Sequence, residues 1–135
     1  MAFVVDTSVT MAWCFQDEAT SSTEELLDRL REEEAHVPEL WRLEVTNVLL
    51  VAERRGRIRE AQSRRFVDLL ERLPIRVAPS AGSLTEVLDL GRRHRLSAYD
   101  AAYLELAERL GTPLATLDGR LVDACRTAGV VRLGS

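Results

Sequence analysis

Phe3-Val4-Val5-Asp6-Thr7-Ser8 opens the chain with three consecutive apolar residues that stop at an acid. A short run that is apolar at every position, rather than at alternate ones, marks a strand covered on both faces. Pro113-Leu114-Ala115-Thr116-Leu117-Asp118 repeats the pattern near the other end and again stops at an acid. Between them, strand-like runs at 36–37 and 75–78 alternate with helical spacings, and 130–131 reads as a last short strand. Alternating short apolar strands and helices predict an α/β chain, a three-layer α/β/α sandwich with a short, mostly parallel central sheet. In such sheets ligands bind beyond the carboxyl ends of the strands, which is where Asp6 and Asp118 fall.

The helices announce themselves by their ends. The spacing predicts helices over 8–15 and from Ser21-Ser22-Thr23-Glu24-Glu25, which holds two overlapping capping boxes, to about Ala35. Further helices are predicted over 39–55, between Pro38 and Gly56, over 61–73 and over 83–94. The last two run from a Ser97 cap to Leu110, stopped by Gly111, and over 120–128.

At 135 residues the chain predicts one domain, 1–135, with one substantial core. It is 46% hydrophobic and 30% charged, with a formal net charge of −4, which is an ordinary globular profile. The start of the chain lacks the basic and apolar regions of a signal peptide, and no apolar run approaches the roughly 18 residues of a membrane span. Cys14 and Cys125 stand alone, without zinc-ligand spacing, so reduced core thiols and a cytoplasmic location are expected. All 18 basic residues other than histidine are Arg. Without Lys, neither a P-loop nor a pyridoxal Schiff base can be built, and a receiver domain loses its site lysine. A phosphatase of the Asp-x-Asp type fails too, because Ser8 stands where its second acid belongs.

Four carboxylates carry the functional reading: Asp6, Glu44, Asp100 and Asp118. Each has an ordinary alternative. Asp6 caps a helix, Asp100 completes a capping box with Ser97, and Asp118-Gly119 makes a turn. Glu44 shares a helical stripe with Leu40, Val48 and Val51, interrupted further by Asn47, and Asp100 shares one with Tyr103, Leu104 and Ala107. Acids pointed inward need a partner, and Mg²⁺ or Mn²⁺ held by carboxylates and water is the economical one. Such a centre suits phosphodiester hydrolysis by activated water. Ser8 and Thr116, each two residues from an Asp, are placed to orient water or a phosphate, or serve only as cap and strand residues. Arg54, Arg55, Arg57 and Arg59, with Arg64 and Arg65, form the densest basic stretch, and Arg92, Arg93 and Arg95 a second one. These read either as solvated helix ends or as contacts to a phosphate backbone. His36 and His94 read as structural or surface residues, and Val9, Ala12, Trp13, Phe15, Leu40 and Trp41 mostly as core.

Val5-Asp6-Thr7-Ser8-Val9 with Ala12-Trp13, Glu44-x-x-Asn47-x-Leu49, Tyr99-Asp100-Ala101-Ala102-Tyr103-x-x-Leu106-Ala107, and Leu114-Ala115-Thr116-Leu117-Asp118 together resemble a PIN domain, specifically a ribonuclease toxin of the VapC type. The resemblance spans nearly the whole chain, in order. It implies an endoribonuclease dependent on Mg²⁺, with Mn²⁺ as substitute, and the toxin of a type II toxin–antitoxin pair. Asp6 and Asp100 would be primary ligands, with Glu44 and Asp118 completing the cluster directly or through water. Asp123 is a rival for the last place. It further implies a homodimer, a VapB-like antitoxin as partner, and transfer or ribosomal RNA as substrate. Two alternatives stay open: a catalytically silent PIN-like module docking a basic partner peptide, and a nuclease directed at DNA.

Overall fold

The computed structural model describes residues 1–79 and 82–135. Strand β1 (Ala2–Val5) leads into helix α1 (Thr7–Cys14), a 3-10 turn (Gln16–Glu18) and helix α2 (Ser21–Arg29). Strand β2 (Glu34–Pro38), helices α3 (Leu40–Arg54) and α4 (Glu60–Arg72), and strand β3 (Ile75–Ala78) follow. The chain then runs through helices α5 (Leu84–His94) and α6 (Ala98–Leu110), strand β4 (Leu114–Ala115), helix α7 (Gly119–Ala128) and strand β5 (Arg132–Leu133).

The five strands form one sheet in the order β3-β2-β1-β4-β5, and every pairing is parallel. From β1 the chain winds outward through β2 to β3, then crosses to β4 on the other side of β1 and winds outward to β5. Right-handed crossovers therefore put α1–α4 on one face and α5–α7 on the other. The contacts agree: α1 packs on α2 and α3, whereas α6 packs on α5, α7 and the inner strands. The expected three-layer sandwich is present. Phe3, Val4, Val5, Leu104, Leu114 and Leu121 are fully buried in one core cluster that spans both layers.

Strand β2 is longer than the expected 36–37 and β4 shorter than the expected 113–117, and three further boundaries differ from the sequence expectation for identifiable reasons. Helix α2 is capped one residue earlier, by Thr20. The Thr20 hydroxyl accepts from the Thr23 amide (3.2 Å), and the Thr23 hydroxyl accepts from the Thr20 amide (2.9 Å). It also ends at Arg29 rather than near Ala35. Ala35 pairs with Phe3 on one side and Ile75 on the other, and this double pairing overrides the helical preference of the Glu-rich run before it. The last strand is Arg132–Leu133 rather than 130–131. Gly129 closes α7 with φ 76°, and the Val130 amide is drawn back to the Cys125 carbonyl (2.9 Å) before sheet pairing begins.

A buried polar chain stitches α1 to α3. The Trp41 indole N–H donates to the Thr10 hydroxyl (3.0 Å), which donates to the Asp6 carbonyl (2.8 Å). Thr10→Val keeps the shape but orphans the indole. Urea unfolding should show a loss of about 1–3 kcal/mol, the usual penalty for one unsatisfied buried donor.

Candidate active site

A doubly wound sheet has one switch point, where successive crossovers leave in opposite directions. Here it lies between β1 and β4, and the residues just past those strands are Asp6 and Thr116 to Asp118. Asp118 is not at the strand terminus itself. It stands three residues beyond Ala115 and caps α7, its Oδ1 accepting from the Arg120 (2.9 Å) and Leu121 (3.2 Å) amides.

Asp6 is nearly buried, at 4% exposure. Its Oδ1 accepts from the Val9 amide (3.1 Å) and the Ser8 hydroxyl (2.6 Å), and its Oδ2 accepts from the Thr116 hydroxyl. The two hydroxyls act further. Ser8 Oγ accepts from the Leu117 amide (2.9 Å) and Thr116 Oγ1 from the Asp118 amide (3.0 Å), so the loops after β1 and β4 are fastened through one carboxylate. Ser8 and Thr116 thus hold Asp6. Burial is the largest influence on that carboxyl and pushes it up to about 6, against the pull of its three donors, with Asp118 adding to the rise.

Asp100 sits in the first turn of α6, half-buried, where Ser97 caps the helix by accepting from the Asp100 amide (3.1 Å). Its carboxyl is raised by burial first, then by Asp118 and Glu44, while Ser97 and Arg120 oppose the rise. Asp118 therefore acts on both Asp6 and Asp100, and Glu44 acts on Asp100. Two of the ordinary capping readings hold as well, since Asp6 and Asp118 cap helices at the same sheet edge; at Ser97 only the half of the box from the Asp100 amide to the Ser97 hydroxyl is formed. Caps fix where these acids stand, and convergence follows from the topology.

Glu44 corrects the expected α3 stripe. The buried positions of α3 are Trp41, Val45, Leu49 and Ala52, so Glu44, Val48 and Val51 lie along the margin of that face. Glu44 Oε1 accepts from the Thr7 hydroxyl (2.9 Å) and the Tyr103 hydroxyl (2.6 Å). Neither partner was singled out from sequence. The available signal was a tyrosine within the apolar stripe of α6, whose buried hydroxyl needs an acceptor. Asn47, expected beside Glu44, is instead exposed and lines a shallow depression with Val48, Val51, Ala52, Arg55 and Arg57. Asp123 is exposed and pairs with Arg126 at 3.7 Å.

Among the described residues no ion pair joins Asp6, Glu44, Asp100 or Asp118 to an Arg or His. Nor do three or more His, Cys, Asp or Glu side chains there form a ready-made metal shell. The donor set is all oxygen, and within it Asp118 adds to the rise of the Asp6 and Asp100 carboxyls, and Glu44 to that of Asp100. Such a set fits a hard divalent cation that keeps several waters and takes only one or two carboxylates directly. It does not fit Zn²⁺, for want of imidazole or thiolate. Cys125 is fully buried and its thiol is pushed up to about 11 by that burial.

The basic stretch lies apart from the acids. Arg54 follows Glu44 by ten residues, roughly 15 Å along the axis of α3. Arg57 reaches across to the 3-10 turn after α1, pairing with Asp17 (3.0 Å) and Glu18 (2.8 Å), its guanidinium 3.7 Å from the centre of the Phe15 ring. Arg54, Arg55 and Arg59 are exposed. Val9, Ala12, Phe15 and Trp41 are buried in the core, with Trp13 and Leu40 packed against it.

A parallel sheet wound on both faces, with acids gathered at its switch point, defines a recognisable class of α/β protein. The PIN-domain family matches residues 3–127. Ribonuclease VapC3 of Pyrobaculum aerophilum is 32% identical over 125 residues, covering 91% of this chain and 94% of its own. Ribonuclease VapC9 of Mycobacterium tuberculosis is 37% identical over 91 residues, covering 67% of this chain and 70% of its own. A crystal structure of a Pyrobaculum aerophilum protein superposes with a TM-score of 0.75 at 26% identity, covering 98% of this chain and 83% of the other. VapBC2 of Rickettsia felis, solved on a fragment of promoter DNA, shares the fold at a TM-score of 0.70 and 11% identity, covering 98% and 97%. The chain belongs to the PIN-domain family, among its VapC-type members.

Proposed function

We propose that this chain is an endoribonuclease dependent on Mg²⁺ or Mn²⁺, the toxin of a toxin–antitoxin pair, acting as one domain over residues 1–135. The observation that carries this reading is the set of four carboxylates near one sheet edge, with no basic side chain among the described residues paired to them. The ribonuclease names of its relatives support RNA as substrate, and the VapBC assembly of Rickettsia felis motivates a VapB-like antitoxin. A homodimer and a cytoplasmic setting belong to the same reading. Among the described residues no helix is long and apolar enough to cross a membrane.

Asp6 and Asp100 would hold the cation, with Glu44 and Asp118 completing the site directly or through water. When bound, the cation supplies a more acidic water and neutralises charge building on the phosphate oxygens. The chain's own contribution is placement. Ser8, Thr116 and the Val9 amide fix Asp6, so its carboxylate is already oriented before a cation arrives. Arg54, Arg55 and Arg59 are exposed and would supply backbone contacts to an RNA strand extending from the acids.

Purified protein should cleave RNA with Mg²⁺ or Mn²⁺ and stop when the cation is chelated. Cleavage indifferent to chelator overturns the reading, and uptake of a basic peptide without any Mn²⁺ binding makes the domain a docking module instead. Replacing Arg54 and Arg55 together by Gln is expected to raise KM several-fold with kcat unchanged. The dependence of binding on salt should become shallower by about one to two phosphate contacts. Unchanged salt dependence removes these arginines from the RNA surface.

A further inference from the structure

We propose that Tyr103, together with Thr7, is a positioning residue that holds Glu44 ready for the cation; this rests on the nuclease reading above. Three elements distant in sequence meet at one oxygen. Thr7 opens α1, Glu44 lies in the second turn of α3, and Tyr103 lies one turn after Asp100 in α6. Tyr103 is 1% exposed, with its ring buried in the core, and its hydroxyl reaches Glu44 Oε1 at 2.6 Å. Thr7 Oγ1 reaches the same oxygen at 2.9 Å and stands 2.9 Å from the Tyr103 hydroxyl.

Both donors therefore converge on Oε1, and among the described hydrogen bonds none engages Oε2. A glutamate side chain has three free torsions and, at a helix margin, ordinarily samples several rotamers. Two donors on one oxygen select one rotamer and leave the other oxygen free. Glu44 is close enough to Asp100 to raise its carboxyl, so the held side chain belongs to the acidic cluster. The arrangement is that of an outer hydrogen-bonding partner orienting a ligand, whose loss typically weakens metal affinity about 10–100-fold. The rigidity comes from α6: the same helix face carries Asp100 into the cluster and Tyr103 beneath it, so one element sets the relation between two acids.

The competing account is that the hydrogen bond only satisfies a buried phenol. Tyr103→Phe separates the two, because it keeps the ring and removes the hydroxyl; Thr7→Val removes the second donor. Mn²⁺ binding to the purified full chain, measured by calorimetry or by the spin resonance of free Mn²⁺, is the readout, with thermal unfolding as the check on folding. Tyr103→Phe should weaken Mn²⁺ binding about tenfold or more, and Thr7→Val less. In the Glu44→Gln background, Tyr103→Phe should produce no further weakening. Equal Mn²⁺ affinity in Tyr103→Phe and the natural protein, or the same loss with and without Glu44, overturns the proposal while the nuclease reading stands. Failure of the natural protein to bind Mn²⁺ at all overturns both.

Discussion

Asp100→Asn should abolish RNA cleavage, by roughly a thousandfold or more, while the protein stays folded. A thousandfold corresponds to about 4 kcal/mol of barrier, a scale that loss of a charged group at a cation-assisted phosphoryl centre reaches. The substitution is close to neutral in shape. The Ser97 hydroxyl caps α6 through the Asp100 backbone amide, so that bond survives. Asp118 and Glu44 both raise the Asp100 carboxyl, so removing its charge relieves repulsion within the cluster. Stability should therefore hold or rise as activity disappears, which separates a functional loss from an unfolded sample. Asp123→Asn is the matching control, since Asp123 is exposed on α7 and pairs only with the exposed Arg126. Single-turnover cleavage with thermal melts of both variants checks this. Retention of more than a tenth of the activity in Asp100→Asn removes that residue from the catalytic machinery.

What could be read from the sequence follows from how local each cause is. Strands β1 and β3, the Ser97 cap and the Gly111 stop were legible, because a buried strand or a helix end is decided within a few residues. Asp6, Asp100 and Asp118 stood out by their placement at element ends and Glu44 by its helical stripe, whereas the topology that relates their elements is not local. The end of α2 was misplaced because pairing of Ala35 to two other strands decides it. For Glu44, helical periodicity narrowed the face without separating its centre from its margin, and neither Thr7 nor Tyr103 could be paired with it across separations of 37 and 59 residues. Arg57 read as part of a basic patch, yet Phe15 and two acids of the 3-10 turn after α1, some 40 residues earlier, claim it.

In cation-free buffer the protein should lose stability as pH rises from about 4 to 6, the reverse of ordinary acid denaturation. Asp6 is the cause. Its carboxyl moves from 3.8 to about 6 on folding, chiefly through burial, so the folded state binds the proton more tightly than the unfolded chain. A group raised in this way favours folding fully below the unfolded value, and that contribution is lost as pH passes through the folded value. The whole change is worth roughly 3 kcal/mol, and about half of it falls between pH 5 and 7.5. Asp100 is raised as well and acts in the same direction. Glu33, held low by its hydrogen bond with Arg29, opposes the trend. Asp6→Asn keeps an oxygen for the Ser8 hydroxyl and the Val9 amide, altering only the contact with Thr116, so it should flatten the slope. A cation that binds the ionised cluster acts oppositely, because it stabilises only the folded state, by an amount that grows with its concentration over its dissociation constant. Mn²⁺ should therefore raise the melting temperature much more at pH 7.5 than at pH 5. Urea unfolding at both values, with chelator and with Mn²⁺, decides the matter. If the chelated protein grows more stable from pH 5 to 7.5, or Asp6→Asn shows the same slope as the natural chain, the buried carboxyl at the switch point is not the strained, cation-seeking group described here.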